Sequence, residues 1–307
     1  MLNKKIKIFI LVFLLIVNNA GCGSVKPVNK ENITTISVKD DCGNVVLIKS
    51  KPNRIVSLSP SHTEILFALG LDKHIVGVTN YCNYPPEAKK KTKVGNYASP
   101  SLEKIISLAP DLVLADSLNH QLGTELGRNG IAFVELNPRS VNDTLRSIET
   151  VGRATGQTAR ASDLVRNIQK DINKAKALAN NRPDSHKPAV YFELCDEPLM
   201  TVGPGTVIDD LIRQAGGTNM AGNAQQEYPQ ISPEVIIKNN PDVIITGYNH
   251  GDVNYSGEDF IKRPGWTELD AVKNQRVYRV DPDIVMRAGP RIGQALLTIS
   301  RLINQEN

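Results

Sequence analysis

The chain has 307 residues, 40% hydrophobic and 22% charged, an ordinary folded composition that excludes a disordered tail, a collagen-like repeat and low-complexity chemistry. Its formal charge is +4, but Lys4, Lys5 and Lys7 lie in a segment with the marks of a removable signal, and without them 33 basic residues face 32 acidic ones. So balanced a surface gives no electrostatic reason to expect nucleic acid, and beyond the extreme N-terminus no run is apolar long enough to cross a bilayer.

Those three lysines precede an unbroken apolar run from Ile8 to Val17, which ends in Asn18-Asn19-Ala20-Gly21-Cys22. As a helix this run covers about 15 Å, roughly half of a hydrocarbon core, so residues 1–21 read as a signal peptide rather than a span. The small pair Ala20-Gly21 directly before Cys22 resembles a bacterial lipobox, with Asn19 where leucine is usual. It predicts a diacylglycerol on the Cys22 thiol and attachment to the outer face of the cell membrane. Residues 22–35 are polar without period and read as the lipidated N-terminus and a flexible tether. Three further cysteines, Cys42, Cys82 and Cys195, specify no disulfide framework, since at most one pair can close. No Cys-x-x-Cys or close His/Cys spacing is present, so no structural metal site is expected.

Ile36 to Ile48, broken by Asp40-Asp41-Cys42-Gly43-Asn44, reads as a β-hairpin. Arg54 to Leu58 is a short buried-strand run, and Ser59-Pro60-Ser61-His62-Thr63-Glu64 opens a helix that ends at Gly70. Further apolar strand candidates are Ile75–Val78, Leu112–Ala115, Ile131–Glu135, Ala189–Leu194, Val243–Thr246 and Val277–Val280. Their alternation with helical or loop segments predicts an α/β fold of parallel-rich sheets covered by helices. Gln157 to Asn180, with Leu164, Ile168, Ile172 and Leu178 near helical spacing, is the longest expected helix and bridges two Rossmann-like lobes. The resulting division is an N-terminal lobe over 36–156, an interlobe helix over 157–182 and a C-terminal lobe over 183–307.

An internal repeat supports two lobes. Ser101-Leu102-Glu103-Lys104-Ile105-Ile106 and Pro110-Asp111-Leu112-Val113-Leu114 recur as Ser232-Pro233-Glu234-Val235-Ile236-Ile237 and Pro241-Asp242-Val243-Ile244-Ile245, each pair 131 positions apart. The same offset relates Tyr97 to Tyr228, so a cleft between equivalent lobes receives one tyrosine from each side. A glutamate near a helix N-terminus is locally favourable in any protein, opposing the helix dipole for about 0.3–1 kcal/mol. Its recurrence in both halves adds a paired external role, in which Glu103 and Glu234 fit two cationic sockets of a symmetric partner.

Arg54-Ile55-Val56-Ser57-Leu58-Ser59-Pro60-Ser61, Val76-Gly77-Val78 leading into Tyr84-Pro85-Pro86, the repeated Ser-x-Glu and Pro-Asp unit, and Thr201-Val202-Gly203-Pro204-Gly205-Thr206 leading into Ala215-Gly216-Gly217 together resemble the substrate-binding proteins of ABC importers for corrinoids and iron complexes. The likeness runs from Arg54 to the C-terminus, and Tyr81-Cys82-Asn83-Tyr84-Pro85-Pro86 is most similar to the cobalamin branch. The resemblance implies the class III periplasmic-binding fold: two α/β lobes, one long connecting helix and a ligand held between them with little hinge motion. It also implies no cofactor, a monomeric carrier, and delivery to a dimeric permease with its ATPase subunits, whose arginines receive Glu103 and Glu234. The expected ligand is cobalamin or another corrinoid, met by Tyr81, Tyr84, Tyr97 and Tyr228, with Asp283 as a polar contact. Tyr97 and Tyr228 stand where the cobalamin-binding relative has tryptophans.

A corrin is a broad, largely apolar disc fringed with amides, so tyrosines suit it. Ferric siderophores carry negative charge and call for cations, which Arg287 and Arg291 supply unless they serve structural ion pairs. Haem is the other alternative, with Tyr248, His250 or His62 as an axial ligand. His62 reads first as a capping or solvent-exposed side chain, and His74, His120 and His186 have no partner at ligand spacing. No Gly-x-Ser-x-Gly, His-Glu-x-x-His or Walker sequence occurs, so an enzyme is not expected; a surface adhesion lipoprotein is the competing non-enzyme class.

Overall fold

Short apolar runs bounded by turn residues set the architecture. The computed structural model describes residues 35–180, 187–247, 260 and 262–304. Strands β1 (Ile36–Lys39) and β2 (Val45–Ile48) form the antiparallel hairpin. A first sheet follows from β3 (Ile55–Ser57), β4 (Ile75–Val78), β5 (Leu112–Ala115) and β6 (Ala132–Glu135), parallel throughout in the order β4-β3-β5-β6. Its helices are α1 (Pro60–Ala68), α2 (Leu102–Ser107), α3 (Leu122–Arg128) and α4 (Val141–Ala154).

The long helix α5 (Thr158–Asn180) comes next. Beyond it lie β7 (Ala189–Asp196), β8 (Leu199–Thr201), α6 (Val207–Gln214), β9 (Thr218–Asn219), α7 (Pro233–Asn239), β10 (Val243–Thr246), α8 (Asp270–Lys273), β11 (Val277–Arg279), α9 (Pro282–Val285) and α10 (Ile292–Asn304). In this second sheet β11, β10 and β7 run parallel, β8 closes the edge antiparallel to β7, and β9 pairs with the start of β7.

Alternation along the strands gives each sheet two apolar faces. Ile55, Leu112 and Leu114 of the first sheet and Val190, Phe192, Val243 and Ile245 of the second belong to one core, which also takes Ile168 and Ile172 of α5. The opposite faces carry separate cores, Val56 and Val113 with Ile105 in one, Tyr191 and Ile244 with Ile236 and Trp266 in the other. Helix α5 is therefore a spine whose apolar stripe faces α4 on one side and α10 on the other. The approach is close: a Cβ on Gly293 of α10 would stand 2.8 Å from the Ile168 carbonyl oxygen, and the Ser300 hydroxyl donates to the Ala175 carbonyl at 2.8 Å.

The repeat has a structural counterpart. Asp111 accepts the Asn53 and Arg54 amides at 2.8 and 3.0 Å, just ahead of β3, and Asp242 accepts the Ala189 amide at 2.7 Å, at the start of β7. Each aspartate thus locks the central parallel pair of its sheet. Ala109 and Asn240, also 131 apart, both turn out of their helices with positive φ, 43° and 41°. The three cysteines of the described region are thiols rather than disulfides. No helix among the described residues is long and apolar enough to cross a membrane.

Candidate functional site

The C-terminal ends of the parallel strands face two adjoining cavities of about 360 and 490 Å³, which share Ser59, Ser61, Tyr97 and Met286. Both are of the size that holds small molecules. The first is lined from the first half of the chain by Tyr97, Asp116 and Arg139 and from the second by Thr206, Glu227 and Tyr228. The second takes Tyr81 and Arg287. Strand ends and the loops after them are where an open parallel sheet leaves room for ligands.

Two tight loops present the tyrosine pair. The Gly95 segment is held by the Asn80 amide donating to the Gly95 carbonyl at 2.9 Å and the Ser101 amide to the Val94 carbonyl at 2.7 Å. Tyr97 leaves this loop, its hydroxyl donates to Asp116, and its carbonyl accepts from Asn119 at 3.1 Å. In the second half, the Gly203 amide donates to the Glu227 carbonyl at 2.7 Å, and a Cβ on Gly203 would lie 2.0 Å from the Gln226 carbonyl oxygen. Only glycine lets the loop carrying Tyr228 approach so closely. Burial, then the hydrogen bond to Asp116, pushes the Tyr97 phenol upward, and burial does the same for Tyr228 against the opposing pull of Arg139. Both hydroxyls stay protonated at neutral pH. Burial also lifts the Asp116 carboxyl above its usual range.

Among the described residues, the arginines lining this cleft are paired within the protein. Arg139 pairs with Glu227 and donates to the Gly205 carbonyl at 3.0 Å. Arg287 pairs with Glu64 at 3.0 Å and Asp283 at 2.6 Å and donates to Asn83 at 2.7 Å. Arg291 reaches Glu64 through two nitrogens, at 2.9 and 2.7 Å, donates to the Asp283 carbonyl at 2.7 Å, and lies over the Tyr84 ring at 4.1 Å. Glu64, 3% exposed on α1, is thus clamped by two arginines from the far end of the chain.

The expected ligand residues therefore separate. Tyr81, Tyr97, Tyr228 and Arg287 line the cavities. Tyr84 and Asp283 stand in the arginine clamp instead, Tyr84 stacked under Arg291 and Asp283 held by Asn83 at 2.9 Å. Tyr248 and Cys22 lie outside the described residues. Glu103 and Glu234 are exposed, each the second residue of its helix, α2 or α7. A hydrogen bond from the Ser232 hydroxyl holds the Glu234 carboxyl below its ordinary value. Cys82 is in the main core, accepting from Thr63 at 3.1 Å, and does not reach the cleft lining.

The expectation for His62 is corrected. It is 1% exposed, its Nδ1 has no hydrogen-bond partner, and the ring lines the first cavity. Burial drives its pKa down to about 4, against a hydrogen bond to the Leu136 backbone, so the ring is neutral. Cys42, His120 and Glu135, which share no ligand spacing in the sequence, come together away from the cleft. Sequence reading also missed Asp116, Arg139, Glu227 and Met286. Asp116 follows β5 directly, so the strand-end rule was a usable signal; the Arg139–Glu227 pair had none, its members lying in different halves of the chain.

The sequence profile of the periplasmic binding protein family matches residues 55–284. The ABC transporter substrate-binding lipoprotein YvrC of Bacillus subtilis is 35% identical over 303 residues, covering 95% of this chain and 94% of its own. The cobalamin-binding protein of Halobacterium salinarum is 33% identical over 220 residues, 69% of this chain and 58% of its own. Among solved structures, the apo periplasmic heme-binding protein RhuT of Roseiflexus sp. RS-1 superposes with a TM-score of 0.73 at 30% identity, covering 82% of this chain and 98% of that one. The chain belongs to the periplasmic binding protein family, with its class III fold, and is the extracytoplasmic substrate-binding component of an ABC transporter, a carrier rather than an enzyme.

Proposed function

We propose that this carrier captures cobalamin or a related corrinoid in the cleft lined by Tyr97 and Tyr228 and hands it to a membrane permease. One observation carries the choice of ligand: both arginines of the cavity lining, Arg139 and Arg287, are already paired with carboxylates. A site so neutralised suits a large ligand of little net charge, and a polyanionic ferric complex would have to compete with these pairs, of which Arg287–Glu64 is buried. Two protonated tyrosines, with Tyr81 60% exposed beside them, offer flat faces and hydroxyls to an amide-fringed disc.

In this reading residues 36–156 and 183–307 are the two lobes and 157–182 the helix between them, and the packing of α4 and α10 on α5 supports a cleft of limited hinge motion. Glu103 and Glu234 dock to the permease dimer. Exposed Val235 and Ile237 around Glu234 support a contact surface there. Cys22 carries the lipid anchor, and the mature protein works as a monomer.

A haem or ferric siderophore ligand is the second reading, favoured by the neutral His62 ring with its unpartnered Nδ1 at the first cavity. Calorimetric titration with cyanocobalamin, haemin and ferric siderophores separates the two. Corrinoid transport predicts one-to-one, sub-micromolar cobalamin binding, worth more than about 8 kcal/mol. Silence with cobalamin and binding of an iron complex would overturn it.

A further inference from the structure

Opposite in character to the neutral cleft is a cluster at the tip of the β1–β2 hairpin. Here the Asp41 amide donates to the Glu135 carbonyl at 2.9 Å, and the Asn137 amide donates to the Asp41 carboxylate at 2.6 Å, so the hairpin turn is pinned to the end of β6. The turn itself is braced, with the Asn44 amide donating to the Asp40 carboxylate at 2.8 Å and Gly43 at a φ of 86°. This brings Cys42 over the buried Glu135 side chain, and its thiol donates to Oε1 at 2.9 Å. His120, just ahead of α3, meets the other carboxylate oxygen through Nδ1 at 2.8 Å. One thiol, one imidazole nitrogen and one carboxylate, from three separate segments, lie within 4.8 Å of one another.

A tetrahedral zinc ion with bonds of about 2.0–2.3 Å needs its ligand atoms roughly 3.3–3.8 Å apart, so small side-chain adjustments suffice. The donor set selects the metal class. Thiolate plus imidazole favours zinc-like ions over magnesium or calcium, and two anionic ligands, Cys42 and Glu135, balance a divalent charge. Space for a fourth ligand exists, since His120, Glu135 and Asp40 line a cavity of about 450 Å³. Asp40, 6% exposed, adds negative charge beside it.

We propose that Cys42, His120 and Glu135 bind a zinc-like divalent ion outside the ligand cleft, with the thiol proton and any proton on Nδ1 released to solvent and a water completing the coordination. The site is independent of the substrate reading. It ties the hairpin to β6 and α3 and leaves one position open for exchange.

The test is titration of the reduced, untagged full chain with Co²⁺ and then Zn²⁺. One equivalent of Co²⁺ should produce a thiolate-to-metal charge-transfer band, and Zn²⁺ should abolish it. Cys42→Ser should remove the band, and Cys42→Ser and His120→Ala should each weaken Zn²⁺ binding by at least about tenfold. Both side chains are exposed, and circular dichroism of each variant confirms that it is folded before titration. A band and affinity unchanged in both variants, or no stoichiometric binding to the wild type, would overturn the site.

Discussion

Replacing Glu64 with glutamine tests the clamp that keeps the cleft neutral. Glu64 accepts from Arg287 at 3.0 Å and from Arg291 at 2.9 and 2.7 Å, with all three side chains largely removed from water. Removing one partner of a buried ion pair costs about 3–5 kcal/mol, because the remaining charge stays desolvated. Asp283 continues to hold Arg287 at 2.6 Å and its carbonyl continues to accept from Arg291, so the lower end applies, about 3 kcal/mol. For a folded region of this size that lowers Tm by roughly 6–12 °C. Urea unfolding followed by circular dichroism gives the free energy, and the same samples can be titrated with haemin. Because the substitution removes a negative charge and keeps the shape, the folded variant should gain affinity for anionic ligands. A destabilisation below about 1 kcal/mol, the range of an exposed pair, together with unchanged haemin affinity, would refute the reasoning.

The remaining predictions follow from single sites. Because the His62 pKa falls from 6.5 to about 4 on folding, the unfolded chain binds a proton between those values that the folded chain does not. Stability therefore drops as pH falls through that window, by about 3 kcal/mol; urea unfolding at pH 7 and 4.5 should show a smaller loss in His62→Leu, and an equal loss would contradict it. Glu103→Ala combined with Glu234→Ala should abolish ligand uptake by cells while leaving ligand affinity intact, and normal uptake would remove the docking role. Cys22→Ala should release the protein from the membrane fraction without the mass of a diacylglycerol; continued membrane attachment would rule out the anchor.

The sequence was most legible where local rules and packing agree. Leu112–Ala115 and Val243–Thr246 were readable as strands because each is a fully buried apolar run entered through Pro-Asp, and that aspartate locks the neighbouring strand in both halves. Tyr97 and Tyr228 were found through the repeat and line one cavity. β8 and β9 escaped because strands of three and two residues have no period, and only their pairing with other segments, β7 above all, defines them. Contacts between distant segments were the hardest to see. Glu64 and Arg291 are 227 residues apart, and Cys42 and Glu135 are 93 apart, so neither the clamp nor the hairpin cluster leaves a spacing to read. His62 looked like a surface cap because it begins a helix, yet that first turn lies against the backbone at Leu136 and lines the first cavity.

The central claim is that a corrinoid sits between the two tyrosines. Its most direct test is calorimetric titration of cyanocobalamin into the wild type, Tyr97→Ala and Tyr228→Ala. The account predicts one-to-one binding weakened by at least about tenfold in each variant, or roughly 1.4 kcal/mol. Wild-type affinity in both variants, or no binding to the wild type, would contradict it.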